Sequence, residues 1–282
     1  MRRFFAGDIK EAPRLSILVY GQTGACKTTW SARAPRPLMI LTEPQGVASA
    51  AAVNTGAEIV VVESWSDFET VWDQVQGAKP IKLENGQHAA FVTWREGGNS
   101  TFQTLVIDSI TDLQQMMIDH MQQGGKGGLE QKPLTQQQWG RLMNTMTGVM
   151  RQQRNLPVSV VMTALANEKH EATRAGDVRR VTPMLMGQMA HKLGQYCNAV
   201  AYATQDKGGQ PALVWKQDAR FHSKPAPGFP GLTRHSLEPG VGTLGSLLLS
   251  LWDGPATPRA EGDSKTKAEG VRPQSSTAES NK

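Results

Sequence analysis

The stretch that decides the fold is GQTGACKTTW, residues 21–30, which directly follows the apolar run LSILVY of residues 15–20. It differs by one residue from the phosphate-binding loop G-x-x-x-x-G-K-[S/T], because Cys26 stands where the second glycine belongs. A short apolar run that ends at a glycine predicts a buried strand, and residues 27–34 predict the helix that follows such a loop. The order of strand, loop and helix is the setting that a phosphate-binding loop requires.

This loop predicts a site for a phosphate chain. Backbone N–H groups at the start of a helix bind phosphate oxygens, and the positive end of the helix dipole strengthens that binding. In the motif, Lys27 reaches the β and γ phosphates and the hydroxyl of Thr28 binds Mg²⁺. The predicted cofactor-binding residues are Gly21, Gln22, Thr23, Gly24, Ala25, Cys26, Lys27, Thr28 and Thr29.

A second apolar run, TLVID at residues 104–108, ends in a carboxylate. Asp108 is predicted to bind Mg²⁺ together with Thr28, and it joins Lys27 among the predicted catalytic residues. Either feature alone also fits an ordinary loop after a core strand. The presence of both in one chain favours a nucleotide site.

Cys26 is the departure within the motif. Glycine is used in such loops where φ must be positive or where the backbone must approach the phosphate closely. A side chain at that position costs about 1–2 kcal/mol of backbone strain. If that strain fell wholly on the nucleotide-bound conformation, affinity would drop about tenfold or more. We therefore expect a weakened nucleotide site.

The rest of the pattern indicates an α/β fold with a mainly parallel central sheet flanked by helices. Residues 81–101 predict a small β excursion, and Ser66 with Glu69 predicts the capping box of a helix. Residues 1–14 form an N-terminal segment, 15–253 one domain, and 254–282 a disordered tail with almost nothing to bury. Further strands are predicted at 38–42, 58–63, 158–164, 199–204 and 212–216, and further helices up to about 122 and at 135–154, 184–195 and 243–252.

Composition gives more information about the location of the protein than about its chemistry. The chain has 282 residues, a formal net charge of +5 and no apolar run of the length that a membrane span needs. Two cysteines make no disulfide framework, so we expect a reduced, cytoplasmic location and no membrane partner. The positive charge permits binding to a polyanion but favours it only weakly.

Five stretches in this order carry a family resemblance: YGQTGACKTTW, PLMILTEP, TLVIDSITDL, QQWGRLMNTMTGVMRQQRNLPVSVVMTA and PMLMGQMAHKLGQYCNAVAYAT. Together they resemble the RecA-like ATPases of bacteriophages, specifically the Sak-four type of single-strand annealing protein, over about residues 15–230. The resemblance implies a RecA-type P-loop core, ATP with Mg²⁺, and a homo-oligomer, ring or filament, on single-stranded DNA. A single-strand-binding protein is a further candidate partner, and the host cytoplasm is the implied location.

The resemblance also implies roles for residues outside the loop. Glu43 would activate the attacking water, although an ordinary solvated glutamate fits the sequence equally well. Two DNA-contacting loops would lie at about 124–139 and 167–182. The candidate DNA-binding residues are Lys126, Lys132, Trp139, Lys169, Arg174, Arg179 and Arg180. Of these, Trp139 also fits an apolar helical stripe facing the core.

The sequence departs from the family pattern after the strand at 158–164. Where relatives place a glutamine or histidine that senses the γ-phosphate, the candidates here are Thr163 and Asn167. Arg220 and Lys224 are candidates to reach the ATP of a neighbouring subunit, and exposed charge on an edge strand is the alternative. The two departures from the family pattern, the absent glutamine or histidine sensor and Cys26, predict slow hydrolysis.

The leading hypothesis is therefore a DNA-dependent ATPase that assembles on single-stranded DNA and promotes annealing or strand exchange in phage recombination. One alternative is a DNA-binding or annealing module with a weak or vestigial nucleotide site. Another is a P-loop ATPase that acts on protein partners, such as a helicase loader or packaging accessory.

Overall fold

A computed structural model describes residues 14–122, 133–173, 176–205, 209, 211–215, 220–225 and 234–236. Three candidate DNA-binding residues, Lys126, Lys132 and Arg174, lie outside the described residues. So do residues 1–13 of the N-terminal segment, the helix predicted at 243–252 and the tail predicted at 254–282.

The described part of the chain forms twelve strands and six α-helices. The strands are β1 (Ser16–Gly21), β2 (Pro37–Leu41), β3 (Glu58–Val61), β4 (Lys79–Lys82), β5 (His88–Thr93), β6 (Asn99–Phe102), β7 (Thr104–Asp108), β8 (Ser159–Thr173), β9 (Gly176–Pro183), β10 (Ala199–Gln205), β11 (Pro211–Val214) and β12 (Arg234–Ser236). The helices are α1 (Lys27–Ala32), α2 (Gly46–Ala51), α3 (Trp65–Gln76), α4 (Ile110–Gln122), α5 (Gln136–Gln152) and α6 (Met189–Tyr196).

Within the described residues, nine strands form the central sheet. Six of them run parallel in the order β3, β2, β7, β8, β1 and β10, and β11 and β12 continue the sheet antiparallel. The ninth strand, β9, pairs antiparallel with β8 outside this order. β1 and β7 are buried along their whole length, which fits their largely apolar sequences. This arrangement confirms the predicted α/β fold with a mainly parallel sheet flanked by helices. The carboxyl ends of the parallel strands meet at one edge, here called the carboxyl edge.

Gly21 closes β1 where that strand packs tightly on β10. A Cβ at this position would lie 2.5 Å from the carbonyl oxygen of Ala203. That contact is shorter than real Cβ atoms make, so the close approach of the two strands requires glycine here.

The small β excursion is confirmed as a separate antiparallel sheet of β4, β5 and β6. It is joined to the edge of the central sheet by a short chain of hydrogen bonds. The indole of Trp94 donates to the hydroxyl of Ser100, which donates to the carboxylate of Glu58 in β3. The excursion therefore lies beside β3, at the opposite side of the central sheet from β12.

The capping residue predicted for α3 is wrong. Ser64, not Ser66, caps the helix, and its hydroxyl accepts a hydrogen bond of 3.2 Å from the backbone N–H of Asp67. Two S-x-x-acid patterns overlap in this sequence. The earlier one is used because the helix then includes Trp65, which is buried in the core.

The region predicted as a loop at 167–182 is a β-hairpin instead. β8 continues for 15 residues, turns, and pairs with β9 in register from Ala166 opposite Pro183 to Thr173 opposite Gly176. The polar and charged residues of this segment resemble loop composition, but here they belong to two paired strands. This β8–β9 hairpin extends from the carboxyl edge.

Helix α6 begins at Met189 rather than near residue 184, because the segment before it is held by other contacts. The backbone N–H of Met184 donates to the carbonyl of Leu165 at 2.7 Å, and that of Met186 donates to Gln114 Oε1 at 2.7 Å. Two described elements, α2 and β12, have no counterpart in the sequence predictions. No helix in the described part of the chain is both long and apolar enough to cross a membrane.

Candidate functional site

A cavity of about 220 Å³ opens at the carboxyl edge, beside the start of α1. Six of the nine predicted cofactor-binding residues line it: Thr23, Gly24, Cys26, Lys27, Thr28 and Thr29. Glu43 and Asp108 line the same cavity, so three chain segments distant in sequence converge there. The other three loop residues lie around it: Gly21 ends β1, Gln22 contacts the β8–β9 hairpin, and Ala25 packs into the core.

The loop has the left-handed conformations that a glycine-rich phosphate loop requires. Gly24 has φ of 80°, and Cys26 has φ of 57° and ψ of 28° immediately before α1. The prediction that position 26 calls for a glycine-like backbone is therefore confirmed. A cysteine there carries the strain of a residue with a Cβ in the left-handed region.

Lys27 is held inside the loop. Its Nζ donates to the carbonyl oxygens of Gly21 at 3.1 Å and Gln22 at 3.0 Å. Burial lowers the pKa of Lys27, and the negative charges of Asp108 and Glu43 oppose that shift. The ammonium group therefore lies between the loop carbonyls and a group of carboxylates, ready to bind an anion that enters the cavity.

Asp108 is buried at the end of β7 and is fixed from two sides. The hydroxyl of Thr163, which is fully buried in the neighbouring strand β8, donates to Asp108 Oδ1. The backbone N–H of Thr42, the residue after β2, donates to the Asp108 carbonyl at 2.8 Å. Thr163, a predicted sensor, is thus in contact with a predicted metal ligand, whereas the other candidate, Asn167, lies in the hairpin opposite Thr182.

Asp112 is a third carboxylate of the site that the sequence analysis missed. It accepts a hydrogen bond from the hydroxyl of Ser109, and its backbone N–H donates back to that hydroxyl at 3.2 Å. Partial burial raises the pKa of Glu43, and the charge and hydrogen bond of Asp112 raise it further. The signal in the sequence is the short separation: Asp112 follows Asp108, the last residue of β7, by four residues and lies in the first turn of α4, so it stays near the carboxyl edge.

The donor atoms at the cavity fit a nucleotide with Mg²⁺. The hydroxyl of Thr28 and the carboxylate of Asp108 are hard oxygen ligands, which Mg²⁺ prefers, and both face the cavity that Lys27 lines. Lys27 and the amino end of α1 supply the positive groups that phosphate binding needs.

The β8–β9 hairpin is attached directly to the phosphate loop. Glu168 accepts a hydrogen bond of 3.0 Å from Gln22 Nε2, and it forms an ion pair with Arg179 of β9 through two hydrogen bonds. That pairing lowers the pKa of Glu168 and raises the pKa of Arg179. The hydroxyl of Tyr20 in β1 donates to the carbonyl of Val181 at 3.2 Å. Loop and hairpin base are therefore in contact through side chains.

The exposed part of the hairpin places like charges opposite each other. Lys169 and Arg180 are direct partners across the two strands, and both are exposed. Like charges directly opposite in a hairpin destabilise it, and an anion between them would relieve that repulsion.

The remaining candidates lie away from the cavity of this chain. The Arg220 guanidinium lies 5.2 Å from the centre of the Phe221 ring. The backbone carbonyl of Arg220 accepts a hydrogen bond of 2.7 Å from the backbone N–H of Val181 in the hairpin. Lys224 Nζ donates to the carbonyl of Cys197 at 2.9 Å, near the amino end of β10 and thus away from the carboxyl edge. Their predicted action on a neighbouring subunit stays a prediction. Trp139 lies on α5 and is 37% exposed, so it is not a core residue.

Comparison with known proteins identifies the type of domain. No curated protein matches the chain. A family model described as an AAA domain, AAA_24, matches residues 14–225. The match covers most of the chain and contains the loop, Asp108 and the hairpin. The chain therefore belongs to the AAA_24 family of AAA-type P-loop ATPase domains.

Proposed function

We propose that this AAA-type ATPase is a phage recombination protein of the RecA-like, Sak-four type, whose ATP hydrolysis depends on single-stranded DNA. In this proposal it assembles on the strand as a homo-oligomer and promotes annealing or strand exchange. The observation that carries the proposal is the contact between the phosphate loop and a hairpin with paired basic residues. The loop and the hairpin are linked through Glu168, which contacts both Gln22 and Arg179. A displacement of the loop would therefore displace the hairpin, and the reverse.

In the nucleotide site, each side chain has a distinct task. Lys27 binds the β and γ phosphates, and Glu43 accepts the proton of the attacking water. The raised pKa of Glu43 makes its carboxylate a stronger base, and Asp112 orients it. Thr28 and Asp108 would hold Mg²⁺, which neutralises charge on the phosphate oxygens when bound.

In the DNA site, Lys169 and Arg180 bind phosphates of a single strand without reading its sequence. Phosphate contacts of this kind release counterions, so binding weakens as salt rises. Arg179 is a further basic residue of β9, and its ion pair with Glu168 places it where the hairpin meets the phosphate loop. We expect the contribution of Arg179 to DNA binding to depend on whether its ion pair with Glu168 is intact or broken.

The experiment that tests this function measures ATP hydrolysis with and without a single-stranded oligonucleotide. Turnover that rises with DNA supports the proposal. DNA binding without turnover would instead support an annealing module with a vestigial nucleotide site, which the left-handed Cys26 favours. Turnover that ignores DNA would contradict the proposal and indicate an ATPase with protein partners.

Replacing Arg179 and Arg180 together with alanine should weaken binding to single-stranded DNA about tenfold at low salt. The slope of log affinity against log salt should fall by about 0.7 for the phosphate contact of Arg180, and by up to about 1.4 if Arg179 leaves Glu168 to bind a second phosphate, because each phosphate contact on a single strand contributes about 0.7. Binding is measured over a series of salt concentrations. The matched control replaces Lys79 and Lys82, exposed on β4, with alanine and should change neither quantity. An unchanged slope in the double arginine variant would remove the hairpin from the DNA site.

Replacing Cys26 with glycine should raise nucleotide affinity or turnover by up to about tenfold. Glycine adopts positive φ without the strain of about 1–2 kcal/mol that a Cβ brings. Titration with a nucleotide and steady-state hydrolysis measure the two effects. Cys26→Ala is the matched control, because it removes the thiol but keeps the Cβ, and it should recover little. If Cys26→Gly lowers both affinity and turnover, backbone strain is not what limits this position.

A further inference from the structure

Several large apolar side chains are exposed at the surface of the described part of the chain. Among the described residues, these are Trp139, Met184 and Met186, which are 37%, 49% and 42% exposed, together with Val61 at the β3 edge. The sequence placed Trp139 on the stripe of α5 that faces the core. Leu142 of that stripe is fully buried, whereas Trp139 is not.

Three of these side chains belong to one surface. Met143 lies one turn after Trp139 on α5, so both are on the same side of the helix. A Cβ at Gly187 would lie 3.6 Å from the sulfur of Met143, which places the chain around Met186 against α5. Met184 precedes Met186 in the same segment. We call the surface formed by Trp139, Met143, Met184 and Met186 the apolar platform.

The apolar platform is held in place by α4 and by the start of α5. Thr111 donates to the carbonyl of Met184 at 3.1 Å, and Gln114 accepts from the backbone N–H of Met186. Thr135 and Gln138 form a capping box immediately before Trp139. A surface that is already ordered loses less conformational freedom when it binds a partner.

The apolar platform is also continuous with the β8–β9 hairpin. Met184 directly follows Pro183, the last residue of β9, and its backbone N–H bonds to Leu165 in β8. The basic pair Lys169 and Arg180 therefore lies on the same hairpin from whose base the platform begins. A hairpin with exposed positive side chains that leads into an exposed apolar surface matches a ligand that carries both phosphates and flat apolar rings.

We propose that the apolar platform stacks the bases of a single DNA strand whose phosphates follow the hairpin, with Trp139 as the main stacking residue. The inference rests on the proposed function and deepens it, because it adds a contact with the bases to the contact with the backbone. Every base has a flat face, so stacking of this kind tolerates any sequence. Unlike a phosphate contact, stacking adds little to the salt dependence.

The test compares an oligothymidylate with an abasic oligonucleotide of the same length and charge. Trp139→Ala should bind the oligothymidylate about tenfold more weakly than the unmodified protein, with an unchanged salt slope. Both proteins should bind the abasic strand equally. Trp139→Phe should retain most of the affinity, and Val61→Ala, which changes an equally exposed apolar residue elsewhere, should retain all of it.

Several results would overturn the inference. If Trp139→Ala binds the oligothymidylate as well as the unmodified protein does, the indole stacks on no base. An equal loss on both strands would mean that the substitution acts through the fold or the backbone contacts. A change in the mass of the DNA-free assembly on Trp139→Ala would assign the platform to a second copy of the chain. If the unmodified protein binds neither strand, the proposed function fails together with the inference.

Discussion

Replacing Lys27 with alanine should reduce ATP hydrolysis at least about 100-fold. In the proposed site, the ammonium group is the cationic side chain that would contact the β and γ phosphates, and removing one such group from a site that stabilises developing charge costs a factor of about 10²–10³. Its two bonds to Gly21 and Gln22 show that it already lies among the loop carbonyls. Steady-state release of phosphate, measured at saturating ATP, gives the effect.

Two measurements separate chemistry from folding in the Lys27→Ala variant. Thermal unfolding without nucleotide reports whether loss of the two carbonyl contacts destabilises the loop. Lys79→Ala, at an exposed lysine of β4, should leave hydrolysis unchanged. If Lys27→Ala hydrolyses ATP at the rate of the unmodified protein, residues 21–29 are not the nucleotide site.

The parts of the fold that could be predicted are those with a local pattern. β1 and β7 are largely apolar runs that end in glycine and aspartate, as parallel strands buried on both faces commonly are, and the loop follows β1 with the spacing of a known motif. The conformation at position 26 could be predicted because the need for a positive φ concerns one residue of the motif and no distant contact. The structure has φ of 57° there, although the residue is a cysteine.

The parts that could not be predicted depend on contacts between distant segments. β8 continues past residue 164 because β9 pairs with it, and no local pattern in its polar half indicates that partner. Trp139 has the spacing of a core residue, but it lies in the first turn of α5, and the buried residues of that helix begin only at Leu142. Gln22 fits the loop through its backbone, yet its side chain bonds to Glu168, 146 residues later in the chain.

Within the site, the role of Thr163 also depends on a contact that the sequence does not reveal. At the end of a core strand beside the phosphate loop, the sequence position is that of a sensor for the γ-phosphate. The side chain is instead fully buried against Asp108 and donates its hydroxyl hydrogen to the carboxylate. Since a hydroxyl hydrogen serves one strong acceptor at a time, this geometry favours a residue that positions Asp108.

Replacing Thr163 with valine should lower the free energy of unfolding by about 2 kcal/mol, even without nucleotide. Valine keeps the shape of threonine but leaves the buried carboxylate of Asp108 without its donor, and hydrogen bonds to charged groups contribute about 1.5–3 kcal/mol. Hydrolysis should fall as well, because a displaced Asp108 no longer faces Thr28 correctly. Chemical denaturation and steady-state turnover measure the two effects.

Thr163→Ser distinguishes a positioning residue from a sensor. Serine keeps the hydroxyl and loses one methyl group, so its stability should fall by only about 1 kcal/mol and its turnover should stay close to that of the unmodified protein. A sensor that acts only on the γ-phosphate would give a different pattern in the valine variant, with turnover lost and stability without nucleotide unchanged. That pattern would contradict the role inferred from the buried contact, because the hydroxyl would then contribute nothing until ATP binds. Unfolding of the nucleotide-free protein is therefore the decisive measurement, since only the bond to Asp108 exists in that state.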